Sequence, residues 1–370
     1  MKLSADRQAL HAAFQHVGSI ITSTIVRPIY QNVLLEASGG GVFLSATDLE
    51  VGLRLKLSKV EVLEEGTVLV PEERITPILR ATLDETVTLE GDESAVLLKS
   101  ADGRFRILSQ DPADFAQIPS LSEDARVEVD PEVLQYMVAR TAFSTAEEKG
   151  RYALNGVLLL VDEEGGIEMV AADGARLATV KKKASNPRKT KIDCIVMKKG
   201  VEHAARLAGL STEPMRLQVT ETQFLAENDV GRMCCQLVEG QFPNFREVIP
   251  RDSRHRSELP TKPLLNALLR AASLTSEQTR AVDFRFSSGL LVLTSQSPDL
   301  GEAEVRLPVD YEGEEAQIAF NPRYIEEILQ VVERESVKME FNDRRSPCLI
   351  RSGTDYLYVV SPVVREEAQA

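Results

Sequence analysis

The stretch Val170-Ala171-Ala172-Asp173-Gly174-Ala175-Arg176-Leu177-Ala178-Thr179-Val180 decides the fold of this chain. Apolar runs flank Asp173-Gly174 on both sides. An aspartate hydrogen-bonds its own backbone and a glycine takes positive φ at no steric cost, so the segment predicts a strand, a tight turn and a strand. Similar text recurs at Leu44-Ser45-Ala46-Thr47-Asp48-Leu49 and at Leu293-Thr294-Ser295-Gln296-Ser297-Pro298-Asp299-Leu300. Asp48 and Asp173 are 125 residues apart, and Asp173 and Asp299 are 126. A period of that length divides 370 residues into three pieces of single-domain size.

The intervening text repeats as well. Ser4 is a candidate N-cap for a helix over residues 5–17, with Leu10, Ala13, Phe14 and Val17 on one face. Strands are predicted at 32–36, 41–45 and 49–57, then a second helix opening at Pro71, with Pro77 expected to kink or delay it. Strands at 86–90, 95–99 and 104–108 lead to Phe115-Ala116-Gln117-Ile118-Pro119. The order restarts at Val127, with helices over 131–141 and 201–210 and a closing Phe242-Pro243-Asn244-Phe245, 127 residues after Phe115. A third copy has helices around Leu264, Leu265, Leu268 and Leu269 and over 324–332, and ends in the strand Tyr356-Leu357-Tyr358-Val359-Val360. Each copy is itself doubled, helix then strands, giving six helices. Polar segments at 121–127 and 251–259 read as linkers, so the expected domains are 1–125, 126–254 and 255–370 of an α+β fold, each with two helices on antiparallel sheets.

Composition narrows the function. No run of about 20 apolar residues is present and the first residues lead into no signal-peptide core, so a soluble cytosolic protein is expected. Cys194, Cys234, Cys235 and Cys348 form no C-x-x-C pair, and His11, His16, His203 and His255 have no ligand spacing; buried reduced thiols are expected, with no metal or cofactor. The absence of Trp and a 5% aromatic content count against base stacking. A net charge of −14 argues against a surface that coats nucleic acid throughout, yet two helices stand apart. Segment 197–208 holds Lys198, Lys199 and Arg206 against Glu202 alone, and segment 261–272 holds Lys262 and Arg270 with no acid. The helix side is therefore neutral to basic and the remainder acidic.

Five motifs in order, Arg151-Tyr152-Ala153-Leu154-Asn155-Gly156, Ala172-Asp173-Gly174-Ala175-Arg176-Leu177-Ala178, Phe242-Pro243-Asn244-Phe245-Arg246-Glu247-Val248-Ile249-Pro250, Phe320-Asn321-Pro322-Arg323-Tyr324 and Tyr358-Val359-Val360-Ser361-Pro362, resemble the bacterial DNA polymerase III beta subunit, the replicative sliding clamp. The resemblance spans the whole chain. It implies a head-to-tail homodimer of three-domain subunits, a six-domain ring with helices inside and sheets outside that encircles duplex DNA without reading its sequence. For the DNA-facing side it implies Arg74, Arg80, Lys198, Lys199, Arg206, Lys262 and Arg270, with Lys149, Arg151 and Tyr152 at the rim. For the dimer interface it implies the strand Arg104, Phe105, Arg106 and Ile107 against a partner end with Ser273, Leu274, Glu302 and Glu304, Asp299 lying nearby.

The resemblance further implies a hydrophobic cleft that takes short linear motifs from the polymerase, clamp loader and repair proteins. Mapped by motif it uses Leu154, Ala172, Gly174, Ala175, Arg176, Leu177, Pro243, Val248, Tyr324, Ser346, Val359, Val360, Ser361, Pro362 and Val363. Ala175 stands where relatives often carry His, and Glu247 where a basic residue is common; both would shift peptide preference. The acidic tail 365–370 is expected to be disordered and to screen acidic motifs. An enzyme would need a catalytic constellation, and no nucleophile elbow, P-loop or dinucleotide motif occurs, while Asp48, Asp173 and Asp299 serve as turn formers. The alternative is a non-replicative repeat scaffold that displays peptide-binding surfaces.

Overall fold

The computed structural model describes residues 1–21, 27–92, 94–122, 126–147, 153–276 and 280–364. Six α-helices occur among them: α1 Arg7–Gly18, α2 Glu72–Ala81, α3 Pro131–Thr141, α4 Lys198–Ala208, α5 Thr261–Ala272 and α6 Pro322–Val331. All strand pairs are antiparallel, as connections through short turns permit. The chain forms two compact units, one of Met1–Leu134, Ser185–Arg188 and Glu202–Leu237, the other of Gln135–Ala184, Lys189–Val201 and Val238–Ala370.

In the first unit a five-stranded sheet runs Val60–Glu64, Lys2–Asp6, Thr86–Gly91, Ala95–Lys99, Arg104–Leu108. An eight-stranded sheet runs Val127–Val129, Met215–Val219, Gln223–Glu227, Gly231–Gln236, Val51–Leu57, Gly41–Thr47, Asn32–Ser38, Gly66–Pro71. Its middle seam, Gly231–Gln236 on Val51–Leu57, joins the central repeat to the first. In the second unit an eight-stranded sheet runs Ile192–Met197, Gly156–Val161, Gly166–Ala172, Arg176–Lys183, Tyr356–Val360, Cys348–Ser352, Ser336–Phe341, His255–Pro260. Here Arg176–Lys183 on Tyr356–Val360 joins the central repeat to the third. A four-stranded sheet, Gly301–Pro308, Leu290–Ser297, Val282–Ser287, Ala316–Phe320, completes the unit. Each unit thus combines a terminal repeat with part of the central one, because the sheets run on through the repeat boundaries.

The helices bury one stripe each. In α1 Leu10, Phe14 and Val17 are wholly buried, each worth roughly 1.5–3 kcal/mol of transfer free energy. In α5 Leu264 and Leu268 are wholly buried, whereas Leu265 is half-buried and Leu269 exposed, so two of the four expected leucines face the core. All four cysteines are buried thiols outside any disulfide, and burial holds the Cys348 thiol well above its ordinary range.

Several local expectations are corrected. Ser4 is no N-cap: it lies in the strand Lys2–Asp6, and Asp6 caps α1 by accepting from the Ala9 N–H at 2.8 Å. The strands Lys2–Asp6 and Val60–Glu64 escape the pattern because one is short and abuts a helix and the other is an edge with two glutamates. Pro71 caps α2 from outside, and Pro77 sits inside the helix without ending it. Helix α4 begins at Lys198 rather than Val201; two lysines in a first turn oppose the helix dipole and read poorly as a start. The expected linker over 251–259 is strand from His255 onward, with His255, Ser257 and Leu259 buried in alternation. Leu49 belongs to a turn, at φ 74°, rather than to the strand after it.

Candidate functional site

The hairpin at Asp173-Gly174 is built as its residues dictate. Asp173 Oδ1 accepts from the N–H groups of Ala175 (2.9 Å) and Arg176 (3.0 Å), and Gly174 sits at φ +95°. A Cβ there would meet nothing within 4 Å, so backbone conformation rather than space is what requires the glycine. Register then sorts the side chains. Ala172 faces Leu177, and Leu177 faces Val359, so these three share one face of the sheet. Arg176 and Val360 face each other on the opposite side.

On the first face Ala172, Leu177 and Val359 form one apolar cluster with Leu158, Val170, Ile195, Leu349 and Phe245. Leu154, Phe242 and Ile249 pack against it while remaining partly exposed. The 3₁₀ turn Phe245–Glu247 lies here, the ring of Phe242 edge-on to Phe245 at 6.4 Å, with Pro243 half-exposed and Val248 52% exposed. Glu247 accepts from the Asn244 side chain at 2.7 Å. A surface that presents Phe242, Leu154 and Val248 above a packed apolar floor suits capture of a few apolar side chains. Phe242, Phe245 and Ile249 were absent from the expected set. Their signal was the Phe-x-x-Phe closing motif, read as a repeat marker and as part of the family resemblance but, apart from Pro243 and Val248, not as cleft residues.

On the second face Arg176 is locked. Its Nε donates to Asp173 Oδ2 at 2.9 Å, Nη2 to the Phe143 carbonyl at 2.9 Å and Nη1 to Glu327 of α6, with the Tyr324 ring 4.5 Å away. Burial opposes its charge, but the bonds to Glu327 and Tyr358 outweigh it and raise the pKa above the ordinary value. The Ser361 N–H donates to Ala175 at 2.8 Å and the Val363 N–H to Ala319 at 2.8 Å, which seats the end of the described chain beside the hairpin. Pro362 is half-exposed. A smaller pocket of ≈ 230 Å³ opens between Ile318, Ala319, Arg344, Arg345, Val363 and Val364. Ser346, which follows Arg344 and Arg345 in sequence, donates to Asp343 at 2.8 Å.

The expected DNA-facing cations lie on helices: Arg74 and Arg80 on α2, Lys198, Lys199 and Arg206 on α4, Lys262 and Arg270 on α5. All are exposed except the half-buried Lys199, and Arg74 pairs with Glu73 at 3.1 Å. Lys149, Arg151 and Tyr152 fall outside the described residues, as does the tail 365–370.

The two expected interface strands are both sheet edges. On Arg104–Leu108 the residues Arg104, Phe105 and Arg106 are exposed, but Ile107 is only 7% exposed. Phe105 and Ile107 share one face of this strand, Phe105 open to solvent and Ile107 tucked against its own sheet. An open cavity of ≈ 1080 Å³ flanks this strand. On Gly301–Pro308 Glu302 and Glu304 are exposed, Glu304 bonding Arg306 at 2.8 Å; Ser273 caps α5 and Leu274 is half-buried. Among the described residues no group of three or more His, Cys, Asp or Glu could hold a metal ion, and no helix is long and apolar enough to cross a membrane.

These features define a class: an α+β protein of threefold internal repeat whose helices carry cations and whose sheet edges carry charges of opposite sign. The comparisons make the class specific. The DNA polymerase III beta subunit family matches by its N-terminal domain over residues 1–119, its central domain over 128–244 and its C-terminal domain over 246–362. The beta sliding clamp of Chlamydia muridarum is 30% identical over 364 residues, 98% of this chain and 99% of that one. The beta sliding clamp of Vibrio cholerae is 30% identical over 368 residues, 98% of this chain and all of its own. The crystal structure of the Pseudomonas aeruginosa sliding clamp bound to griselimycin superposes with a TM-score of 0.91 at 28% identity, covering 99% of this chain and 100% of that one. The chain therefore belongs to the DNA polymerase III beta subunit family, and its function is that of a DNA sliding clamp in replication.

Proposed function

We propose that two copies of this chain, each of three domains over 1–125, 126–254 and 255–370, close head-to-tail into a ring around duplex DNA. The observation that carries this is the pair of sheet edges of opposite charge, Arg104 and Arg106 on one strand and Glu302 and Glu304 on the other. Unpaired edges are a standing liability unless something covers them, and opposite charges select each other as cover. In this reading Phe105 and Leu274 supply the apolar part of the contact.

The cations Arg74, Arg80, Lys198, Lys199, Arg206, Lys262 and Arg270 face phosphates. Such contacts carry no base information and are individually weak, which permits sliding. Holding is topological. The apolar surface around Leu177, Val359, Phe242 and Leu154 receives linear motifs of the replicative polymerase, the clamp loader and repair proteins, and griselimycin competes for it. The hairpin residues Ala172, Gly174 and Ala175 wall this groove and Pro243, Val248, Ser346, Ser361, Pro362 and Val363 border it, while Arg176 anchors the hairpin from the opposite face together with Tyr324 and Val360. The chain itself catalyses nothing, needs no cofactor, and works in the bacterial cytoplasm on the nucleoid.

Retention on DNA tests the ring. Loaded protein should stay on nicked circular DNA and run off once the circle is linearised; equal loss from both would refute encirclement. Phe105→Ala with Leu274→Ala should convert a dimer into monomers in sedimentation at nanomolar concentration. A persistent dimer would remove these edges from the interface.

A further inference from the structure

The sheet face that carries the groove changes character along its strands. Its rungs are Ala172 opposite Leu177, Val170 opposite Thr179, Glu168 opposite Lys181 and Gly166 opposite Lys183, all on one face. The next strand continues the series, with Leu158 beside Val170 and Leu160 beside Glu168. From Leu177 to Lys181 is four residues, about 13 Å at ~3.3 Å per residue. Within that distance an apolar surface gives way to a cationic one.

There the surface opens into a depression of ≈ 580 Å³ lined by five cations, Lys181, Lys182, Lys183, Lys191 and Arg246, and three carboxylates. Lys182 is committed to Asp355 at 2.5 Å. Glu168 is shared: it accepts from Thr179 Oγ1 at 3.0 Å and Arg246 at 2.8 Å, and lies 3.6 Å from Lys181. Its side chain is 11% exposed, whereas those of Lys181 and Arg246 are 61% and 58% exposed. One carboxylate thus holds Lys181 and Arg246 in place without covering them, and Lys191, 73% exposed, pairs with the surface Glu163 at 3.1 Å. In a chain of net charge −14 this is a local positive field beside an apolar surface.

Two residues make the depression continuous with the groove. Leu160 lines it and also packs against the apolar cluster. Arg246 lies over the Phe245 ring at 4.4 Å, and Phe245 belongs to that cluster. We propose that the depression receives an acidic segment of the peptides that occupy the groove, with aspartate or glutamate about four residues from the apolar anchors. The inference rests on the groove reading given above. Duplex DNA is the poorer occupant, because three carboxylates and Leu160 line the same depression.

The test uses the full chain and two fluorescein-labelled peptides with identical leucine and phenylalanine anchors, one followed four residues on by Asp-Glu-Asp and the other by Asn-Gln-Asn. The acidic peptide should bind roughly tenfold tighter at low salt, as several exposed pairs of modest strength would give, and lose that advantage at high salt. Lys181→Glu with Lys183→Glu and Lys191→Glu should abolish the preference while the neutral peptide and griselimycin keep their affinities. Equal binding of the two peptides by the unsubstituted chain overturns the proposal, as does a preference that survives the triple substitution. If the triple variant misfolds and loses griselimycin too, Lys183→Gln alone decides, by a smaller loss for the acidic peptide only or by no loss. Weakened retention on circular DNA with an intact peptide preference assigns the patch to nucleic acid and also overturns it. Phe242→Asp separates the two readings: if it leaves both peptides bound, the groove reading has failed instead.

Discussion

Arg176 and Glu327, 151 residues apart, are joined by an ion pair between the hairpin strand and α6, with the Arg176 side chain only 5% exposed. The pair fastens the hairpin of the central repeat to a helix of the third. It is also unequal. Glu327 is 22% exposed and has a second partner, Arg323 Nε at 2.9 Å, while Arg176 keeps Asp173 and the Phe143 carbonyl if Glu327 is removed.

The two truncations should therefore differ. Arg176→Ala leaves a cavity and a half-covered carboxylate, for a loss of about 3 kcal/mol; Glu327→Ala leaves a buried cation still paired, for about 1–2 kcal/mol. Calorimetric melting of both variants checks the ranking, and equal losses would show that Asp173 does not compensate.

Gly174 makes a different kind of demand. Since nothing lies within 4 Å of a Cβ there and φ is +95°, Gly174→Ala should cost about 1 kcal/mol or more through backbone strain alone. Gly174→Asn should cost less, because asparagine tolerates positive φ. Melting temperatures of the two variants decide; alanine and asparagine costing the same would point to a steric cause.

Glu90 gives a pH signature to the five-stranded sheet. Hydrogen bonds from Lys2 (2.8 Å) and Lys99 (2.5 Å) hold its carboxyl down at about 2. A depressed folded pKa means a stabilising contribution fully present above the unfolded value of about 4.3 and lost as pH falls from there through about 2. A carboxyl-carbon NMR titration should place the Glu90 midpoint near 2, and Lys2→Met with Lys99→Met should return it toward the ordinary range. An unmoved midpoint would exclude the lysines as cause.

Much of this was legible in one dimension. The Asp-Gly turn and the apolar runs that flank it depend on contacts between near neighbours, so Asp173 and Gly174 announce their roles in their own chemistry, and the 125-residue period is the recurrence of such local text. Helix stripes such as Leu10, Phe14 and Val17 follow from a 3.6-residue period. The family resemblance was legible for the same reason, since its motifs are local. Starts without a local signature were not: Asp6 caps α1 from the end of a strand, and Lys198 opens α4 against its dipole.

What the sequence by itself determined is thus the repeat, its elements and the family they belong to, because period and turn chemistry are properties of adjacent residues. Only the tertiary structure decided which side each residue faces. Pairing of Arg176–Lys183 with Tyr356–Val360 is a choice between strands more than 170 residues apart, and a one-residue slip would exchange Leu177 for Arg176 on the groove face. That register puts Leu177, Val359 and Lys181 on a single surface and hides Arg176 behind it.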